Sequence, residues 1–190
     1  MPRDPSPTRY RLSSAAARLF AEHGYHGTSV GDLASAVGIH KSSIYAHVNG
    51  KEDLLAELVL RGAASFHAVL DTLPEDAPPA EALRLALRGH LGVVQDQLDV
   101  ATIWLREWRY LSGEALETFI AERRRYEQRI RRLFEEAIED GSFRAELDLR
   151  YATLLFLSAA NWAYTWLTHK TDLDNATAHL WTLIRSGTDP

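Results

Sequence analysis

Apolar residues recur at helical spacing along almost all of this 190-residue chain, with Gly and Pro between the periodic segments. No segment shows the alternation of apolar and polar residues that is typical of a half-buried strand. The spacing predicts about nine helices, over residues 8–23, 29–38, 41–48, 51–73, 80–99, 100–111, 114–140, 149–169 and 173–186. We therefore expect an all-α fold, in which three short N-terminal helices form a head and the later, longer helices form a body.

Metal-binding and catalytic patterns are missing from the sequence. The chain has no cysteine, which excludes disulfides and thiolate metal sites. His23 and His26 lie close together but have no partners at ligand spacing, so we predict no metal and no cofactor. There is no Gly-x-Ser-x-Gly elbow, no phosphate-binding Gly loop and no His-Glu-x-x-His motif. We do not expect an enzyme.

The sequence also lacks a segment suited to a membrane. Its longest apolar stretch, residues 151–167, is interrupted by three polar residues and is shorter than the roughly 20 residues that a bilayer requires. The first ten residues are polar and Pro-rich, unlike a signal peptide. We expect a cytoplasmic protein without a membrane partner.

Charge is distributed unevenly along the chain, whose net charge is −5. Through Lys51 there are six basic and three acidic residues, a net of +3, whereas the remainder carries 15 basic and 23 acidic residues, a net of −8. A positive head on a negative body favours contact between the head and a phosphate backbone. The same asymmetry also arises by chance in short segments, so it permits nucleic-acid binding without establishing it.

Residues 27–48 have the pattern of two short helices joined by a tight turn. Ser29 and Asp32 have the spacing of a capping box at the start of the first helix. Gly38 can take the left-handed conformation that the turn requires. The second helix exposes polar or basic side chains at His40, Lys41, Ser42, Ser43, Tyr45 and His47. A recognition helix needs this arrangement, because its N-terminal residues meet base edges in the major groove.

Residues 9–56 resemble the DNA-binding domain of the TetR family. The resemblance is carried by Leu19-Phe20-Ala-Glu-His-Gly24-Tyr25, Thr28-Ser29-Val-Gly-Asp32-Leu33-Ala34, Gly38-Ile39-His-Lys41-Ser-Ser-Ile44-Tyr45-Ala-His47-Val48 and Lys51-Glu52-Asp53-Leu54-Leu55. The chain departs from the family at Ser42, where Gly is common, and at Val48, where an aromatic residue is usual. The resemblance implies a DNA-binding domain over 7–67, with its helix-turn-helix at about 29–48, and a ligand-binding and dimerisation domain over 68–190. It implies phosphate contacts from Thr28 or Ser29, Lys41, Tyr45, His47 and Lys51, with His40, Ser42 and Ser43 nearest the bases.

The last two predicted long helices each carry an apolar stripe. In the TetR family the corresponding helices form a four-helix interface between two subunits, so the resemblance implies a homodimer. The predicted interface residues are Tyr151, Leu155, Ser158, Ala159, Trp166, Leu180, Leu183 and Ile184. The alternative is that these stripes pack only within their own chain.

The middle of the body is rich in aromatic residues that can line an apolar cavity, with a few polar anchors. The candidate effector-binding residues are Trp104, Glu107, Trp108, Phe119, Arg123, Tyr126, Phe156, Asn161 and Trp162. The same residues can equally form a filled core. Six arginines lie between residues 123 and 132, either as a cationic site or as a solvated face paired with Glu127, Glu135 and Glu136.

Segments of the C-terminal half resemble regulators of fatty-acid and steroid breakdown that respond to acyl-CoA thioesters. The resemblance is carried by Arg106-Glu107-Trp108, Arg123-x-x-Tyr126-Glu127, Asp140-Gly141-x-Phe143-Arg144 with Leu147-Asp148, and Asn161-Trp162-x-x-x-Trp166. We therefore expect a repressor that is released from a palindromic double-stranded DNA operator by a small apolar effector, with long-chain acyl-CoA as the candidate. The alternatives are a regulator with another effector class or with no ligand, acting as an activator or co-regulator, and a helical interaction module whose head no longer binds DNA.

Overall fold

The computed structural model describes residues 7–189, and within this range every regular element is a helix. The α-helices are α1 (Pro7–His23), α2 (Val30–Val37), α3 (Lys51–Asp71), α4 (Pro79–Asp96), α5 (Leu98–Arg106), α6 (Gly113–Glu139), α7 (Leu149–Asn161) and α8 (Leu173–Thr188). Three short 3-10 helices span Lys41–Ala46, Glu107–Tyr110 and Trp162–Thr165. The predicted all-α fold is confirmed. None of the helices in this range combines the length and the apolar character needed to cross a membrane.

The chain divides into two compact units. The first, which we call the head unit, contains residues 7–63 together with Asp99–Ile120. The second, the body unit, contains Ala64–Leu98 together with residues 121–189. This division differs from the predicted boundary after residue 67, because residues 99–120 group with the N-terminal helices and not with the body. Pro190, the last residue of the predicted second domain, lies outside the described residues.

The core of the head unit is built by the apolar faces of its helices. Leu12, Ala16 and Phe20 of α1 are fully buried because they share one face at helical spacing. The N-terminal part of α3 contributes Leu54 and Leu58, which are also fully buried. Removing a leucine or phenylalanine side chain from water stabilises the unit by roughly 1.5–3 kcal/mol.

The core of the body unit is centred on α6, α7 and the turn between them. Phe134 packs against Phe143 and Phe156, with ring centroids 5.7 and 6.0 Å apart, and all three side chains are buried. Helix α4 packs against α7 and α8 in the same unit. A side-chain ion pair with an N–O distance of 2.6 Å joins Arg88 of α4 to Asp174 of α8. These contacts fix three helices of the body around one core.

Two predicted helices end earlier than expected and continue as 3-10 turns. The helix predicted over 149–169 ends at Asn161, and the Thr165 hydroxyl then donates to the carbonyl oxygen of Trp162 at 2.8 Å. The helix predicted over 100–111 likewise changes to 3-10 geometry at Glu107, where Arg109 Nε donates to the Arg106 carbonyl at 2.8 Å. In both places a side chain competes for a carbonyl oxygen near the end of the helix.

Candidate nucleic-acid interface

The first helix of the motif, α2, is fixed at both ends. The Asp32 N–H donates to Ser29 Oγ at 3.1 Å, and the Ser29 N–H donates to Asp32 Oδ2 at 2.7 Å, which confirms the predicted capping box. The pKa of the Asp32 carboxyl is held below its usual value, mainly by the hydrogen bond from the Ser29 backbone and next by the bond from the Ser29 hydroxyl. At the other end Gly38 has φ 70°, a left-handed conformation, and its N–H bonds to the carbonyls of Ala34 and Ser35. The turn into the next helix therefore depends on glycine.

The second helix of the motif is the 3-10 helix Lys41–Ala46, which we call the recognition helix. A six-residue segment between two turns is too short for a cooperative α-helix, which explains the tighter geometry. Ile44 is 1% exposed and anchors this helix, whereas Tyr45 is 57% exposed. The predicted base-facing and phosphate-facing side chains His40, Lys41, Ser42 and Ser43 are also exposed, and His47 is half-buried. The motif thus presents a polar surface on an apolar anchor.

Thr28, one of the two residues predicted to contact a phosphate, is buried. Its side chain is 1% exposed, and its hydroxyl donates to the carbonyl oxygens of Leu19 and Gly24, at 3.1 and 3.0 Å. Thr28 therefore stabilises the loop after α1 and is not placed to touch a phosphate. Of the two residues predicted as alternatives for this contact, Ser29 is the exposed one.

Lys51 is also used inside the head unit. Its Nζ donates to the carbonyl oxygens of Tyr25 and Thr28, at 2.7 and 2.9 Å, and lies 4.2 Å from the centre of the Tyr25 ring. Burial lowers the pKa of this ammonium group. Lys51 thus ties the start of α3 to the loop before α2.

Sequence reasoning missed two arginines that position the motif. Arg9 donates to the carbonyl oxygen of His47 at 2.8 Å and pairs with Glu57 at 2.9 Å. Arg11 donates to the carbonyl oxygen of Val37, the last residue of α2, at 2.5 Å. A cation at the C-terminal end of a helix is favourable because it meets the negative end of the dipole. These partners are 26 to 48 residues away, and no local pattern points to them.

Glu107, predicted as an effector anchor, binds within the head unit instead. Its carboxylate accepts the N–H of Tyr25 at 2.8 Å and pairs with Arg106 Nε at 2.9 Å, and its side chain is 3% exposed. Tyr110 stacks on Tyr25, with centroids 5.6 Å apart and an interplanar angle of 19°. Both carboxylate oxygens of Glu107 are therefore engaged, and the Glu107–Tyr110 turn holds the loop that precedes α2.

Three other predicted effector residues form a filled aromatic cluster in the head unit. Phe119 stacks on Trp108 at 4.8 Å and meets Trp104 edge-on at 4.8 Å. Trp104 and Phe119 are buried, and Trp108 is half-buried. These three side chains therefore pack as a filled core, which is the alternative to a ligand cavity.

The remaining predicted effector residues lie in the body unit in different surroundings. Tyr126 is buried and its hydroxyl lies 3.0 Å from His90 Nδ1. Phe156 belongs to the phenylalanine core described above. Asn161 is half-buried, whereas Arg123 and Trp162 are exposed, which differs from the cavity-lining role predicted for them.

A pocket of about 240 Å³ lies in the body unit, between the C-terminal end of α3, the N-terminal end of α4 and the C-terminal half of α6. We call it the body pocket. It is lined by Leu70, Leu73, Pro74, Glu75, Ala77, Pro79, Ala82, Arg129, Arg132, Leu133 and Glu136. Arg129 pairs with Asp71 at 2.7 Å, while Arg132 is exposed and has no recorded ion pair within residues 7–189. The pocket therefore combines apolar side chains with the guanidinium group of Arg132 and the carboxylates of Glu75 and Glu136.

Most of the predicted dimer residues form an accessible surface on α7, α8 and the turn that follows α7. Tyr151, Leu155, Ser158, Trp166 and Leu183 are exposed, and Ala159 and Leu180 are half-buried. Ile184 is 4% exposed within its own chain and faces inward, while its neighbour Leu183, at 71%, faces outward.

A capped helix, a left-handed glycine turn and a short helix with an exposed polar face define a helix-turn-helix DNA-binding protein. Family models identify it further: residues 12–58 match the model described as bacterial regulatory proteins, tetR family, and residues 76–185 match the tetracyclin repressor-like C-terminal domain. The chain belongs to the TetR family of transcriptional regulators, which are ligand-responsive DNA-binding proteins and not enzymes.

Similar proteins cover most of the chain. The HTH-type transcriptional repressor KstR2 of Mycobacterium tuberculosis is 29% identical over 144 residues, which are 74% of this chain and 72% of the relative. The crystal structure of the TetR family regulator PfmR from Thermus thermophilus shows 34% identity and a TM-score of 0.84, over 94% of this chain and 96% of that one. AibR, solved in complex with isovaleryl coenzyme A and operator DNA, shows 26% identity and a TM-score of 0.84, over 93% and 97%.

Proposed function

We propose that this protein is a homodimeric repressor that leaves a palindromic operator when an acyl-CoA thioester binds to its C-terminal domain. The observation that carries the DNA-binding part is the recognition helix, whose polar side chains are exposed while Ile44 anchors it. The acyl-CoA part is supported by the likeness to AibR, whose structure contains both isovaleryl coenzyme A and operator DNA. Such a repressor acts on the chromosome, which places it in the cytoplasm.

In this proposal the recognition helix enters the major groove. His40, Ser42 and Ser43, at its N-terminal end, are the side chains that read base edges. Phosphates are held by the exposed residues Ser29, Lys41 and Tyr45 and by the half-buried His47. Lys51 contributes indirectly, because it holds the loop before α2 through the carbonyls of Tyr25 and Thr28.

Dimerisation follows from the size of the recognition helix. Six residues meet too few bases for specific binding, whereas two copies read two half-sites. The exposed apolar surface on α7 and α8, which includes Leu155, Trp166 and Leu183, offers a face for a second copy. Covering exposed apolar side chains of this size favours association.

For the effector we assign the body pocket and Arg132. A thioester of coenzyme A has an apolar acyl chain and anionic phosphates. The pocket has apolar side chains for the acyl chain and the Arg132 guanidinium group for a phosphate, and it also contains the carboxylates of Glu75 and Glu136. Its volume of about 240 Å³ is below the roughly 300–1,000 Å³ of most ligand sites. The helices around it must therefore move apart when a long chain binds.

Release then requires that the two states differ in affinity for the effector. Helix α3 runs from Lys51 to Asp71 and contributes residues to both units. A shift of its C-terminal part therefore also moves its N-terminal part, which begins beside the recognition helix. The effector favours the state in which the two recognition helices no longer match two half-sites. A shift from 1% to 99% of the released state needs about 10⁴-fold tighter binding to that state.

The DNA-binding part is tested by a gel shift with the DNA upstream of the protein's own gene, at several salt concentrations. Lys41→Ala is expected to reduce the slope of log affinity against log salt by about 0.9 per subunit, close to two units for a dimer. Lys51→Ala is expected to weaken binding with a smaller change of slope, because this ammonium group is bonded within the chain. The matched control is Lys170→Ala, at an exposed position of the body unit. An unchanged slope for Lys41→Ala contradicts its phosphate role.

The effector part is tested by calorimetry and by release from the same DNA. Acyl-CoA thioesters from isovaleryl to long-chain are compared with free fatty acids and with coenzyme A alone. Thioesters are expected to bind and to release the DNA, and Arg132→Gln is expected to weaken their binding. A protein that binds no thioester, or binds one without losing DNA affinity, contradicts the proposal.

A further inference from the structure

Two buried imidazole nitrogens in the body unit have no hydrogen-bond partner. They are Nε2 of His90, on α4, and Nδ1 of His67, on α3. These residues are 1% and 6% exposed, so neither nitrogen reaches bulk solvent. Burying a polar atom without a partner destabilises a fold, and such atoms are few in native proteins. Two of them in one place indicate that a hydrogen-bonding group comes from outside the chain.

The position of the proton on the His90 ring depends on the direction of its hydrogen bond to Tyr126. Tyr126 Oη lies 3.0 Å from His90 Nδ1, which is its only recorded partner within residues 7–189. Burial raises the pKa of the Tyr126 phenol, so the hydroxyl keeps its proton and is able to donate it to Nδ1. Burial also lowers the pKa of His90 to about 3, so the ring is neutral and carries one proton, which is on Nε2 when Tyr126 donates to Nδ1. In that arrangement the unpartnered Nε2 is an N–H donor.

The groups around this donor disfavour an anionic ligand group. His67 Nε2 lies 3.1 Å from a carboxylate oxygen of Glu122, and the His67 ring meets Tyr126 edge-on at 5.6 Å. Glu122 thus brings negative charge to the cluster. Positive charge is also present, because Arg125 pairs with Glu122 at 3.8 Å and Arg129 donates to the His67 carbonyl oxygen at 3.5 Å. Phe66 packs against the His90 ring at 4.4 Å and makes its surroundings apolar. A buried carboxylate would lose its hydration in exchange for one hydrogen bond from a neutral imidazole, whereas an uncharged carbonyl oxygen loses less on burial and accepts the same hydrogen bond.

The cluster and the body pocket lie along the same helices. Leu70 and Arg129, which line the pocket, follow His67 and Tyr126 by three residues on α3 and α6. Three residues of an α-helix advance about 4.5 Å along its axis. The cluster therefore lies about one helical turn from residues that line the pocket, and none of its own residues is among that lining.

We infer that the Nε2–H of His90 donates a hydrogen bond to the thioester carbonyl oxygen of the effector, an inference that rests on the function proposed above. The thioester is the one uncharged carbonyl acceptor that is attached directly to the acyl chain. A free fatty acid has a carboxylate at the same place. His90 thereby selects the activated acid over the free acid.

The test compares two ligands, dodecanoyl-CoA and its thioether analogue S-dodecyl-CoA, which lacks only the carbonyl oxygen. Calorimetry with the full-length wild-type protein is expected to show about tenfold tighter binding of the thioester. His90→Asn keeps an acceptor for Tyr126 near the position of Nδ1 but has no atom at Nε2, so it is expected to bind both ligands equally. His90→Gln, whose amide reaches the position of Nε2, is expected to keep the preference.

The outcomes separate this contact from the effector class. If both ligands bind the wild-type protein with equal affinity, the acyl-CoA proposal stands and the His90 contact is wrong. If His90→Asn keeps the full preference, the contact is also wrong. If neither ligand binds the wild-type protein, the effector class is wrong and the contact falls with it. The wild-type comparison decides these points even if a variant does not fold.

Discussion

The buried, neutral His90 makes a quantitative prediction about stability and pH. In the unfolded chain the imidazole has its ordinary pKa of 6.5, whereas in the folded chain burial lowers it to about 3. Between these values the unfolded state binds a proton that the native state does not, so stability rises with pH in this window and is lost as the pH falls through it. From pH 7 to pH 5 this group alone is expected to remove about 2 kcal/mol from the free energy of unfolding.

The assay is urea unfolding at pH 7 and pH 5, followed by circular dichroism, for the wild-type protein and for His90→Gln. The variant has no titrating group at this position, so its loss of stability between the two pH values is expected to be about 2 kcal/mol smaller. Subtracting the two losses removes the contribution of all other titrating groups. His169→Gln is the control, because this exposed ring is in water in both states. Equal losses for the wild-type protein and His90→Gln would refute the argument that burial keeps His90 neutral.

Three further substitutions test packing, capping and association. In Gly89→Ala the new Cβ would lie 2.3 Å from Val69 Cγ1, so thermal unfolding is expected to show a loss of about 1–2 kcal/mol in the free energy of unfolding. In the control Gly92→Ala the nearest atom is at 3.7 Å, so stability should be kept or improved. Ser29→Ala removes the cap of α2 and is expected to cost about 1 kcal/mol and to weaken operator binding, while Ser29→Asn restores both; equal behaviour of the two variants contradicts the capping role. Leu183→Asp places a charge on the proposed dimer surface, so analytical ultracentrifugation should find monomers where the wild-type protein forms dimers; an unchanged dimer moves the interface elsewhere.

Local features of the motif could be predicted from sequence because they depend on neighbouring residues. The capping box joins residues three positions apart, and Gly38 is needed by the turn in which it lies. Both follow from backbone geometry and short side chains. The exposure of the recognition helix could be predicted for the same reason, since its only fully buried side chain is Ile44.

Long-range partners could not be predicted. The carboxylate of Glu107 meets an N–H that is 82 residues away, and Lys51 meets carbonyls 23 and 26 residues away. Residue type indicates that such groups need partners but not which ones. Helical periodicity has a similar limit: it shows that Leu183 and Ile184 are apolar positions of α8, but not which of them faces the chain's own core.

The positions of the tryptophans allow subunit association to be followed by the protein's intrinsic fluorescence. Trp166 is 41% exposed on the surface assigned to subunit association and Trp162, four residues before it, is 63% exposed, whereas Trp104 is 6% exposed. Indole emission moves to longer wavelengths in water, so dilution that separates two subunits should shift the spectrum to the red. Because Trp104 stays buried in both states, its emission provides an internal reference for that shift, and no dye needs to be attached.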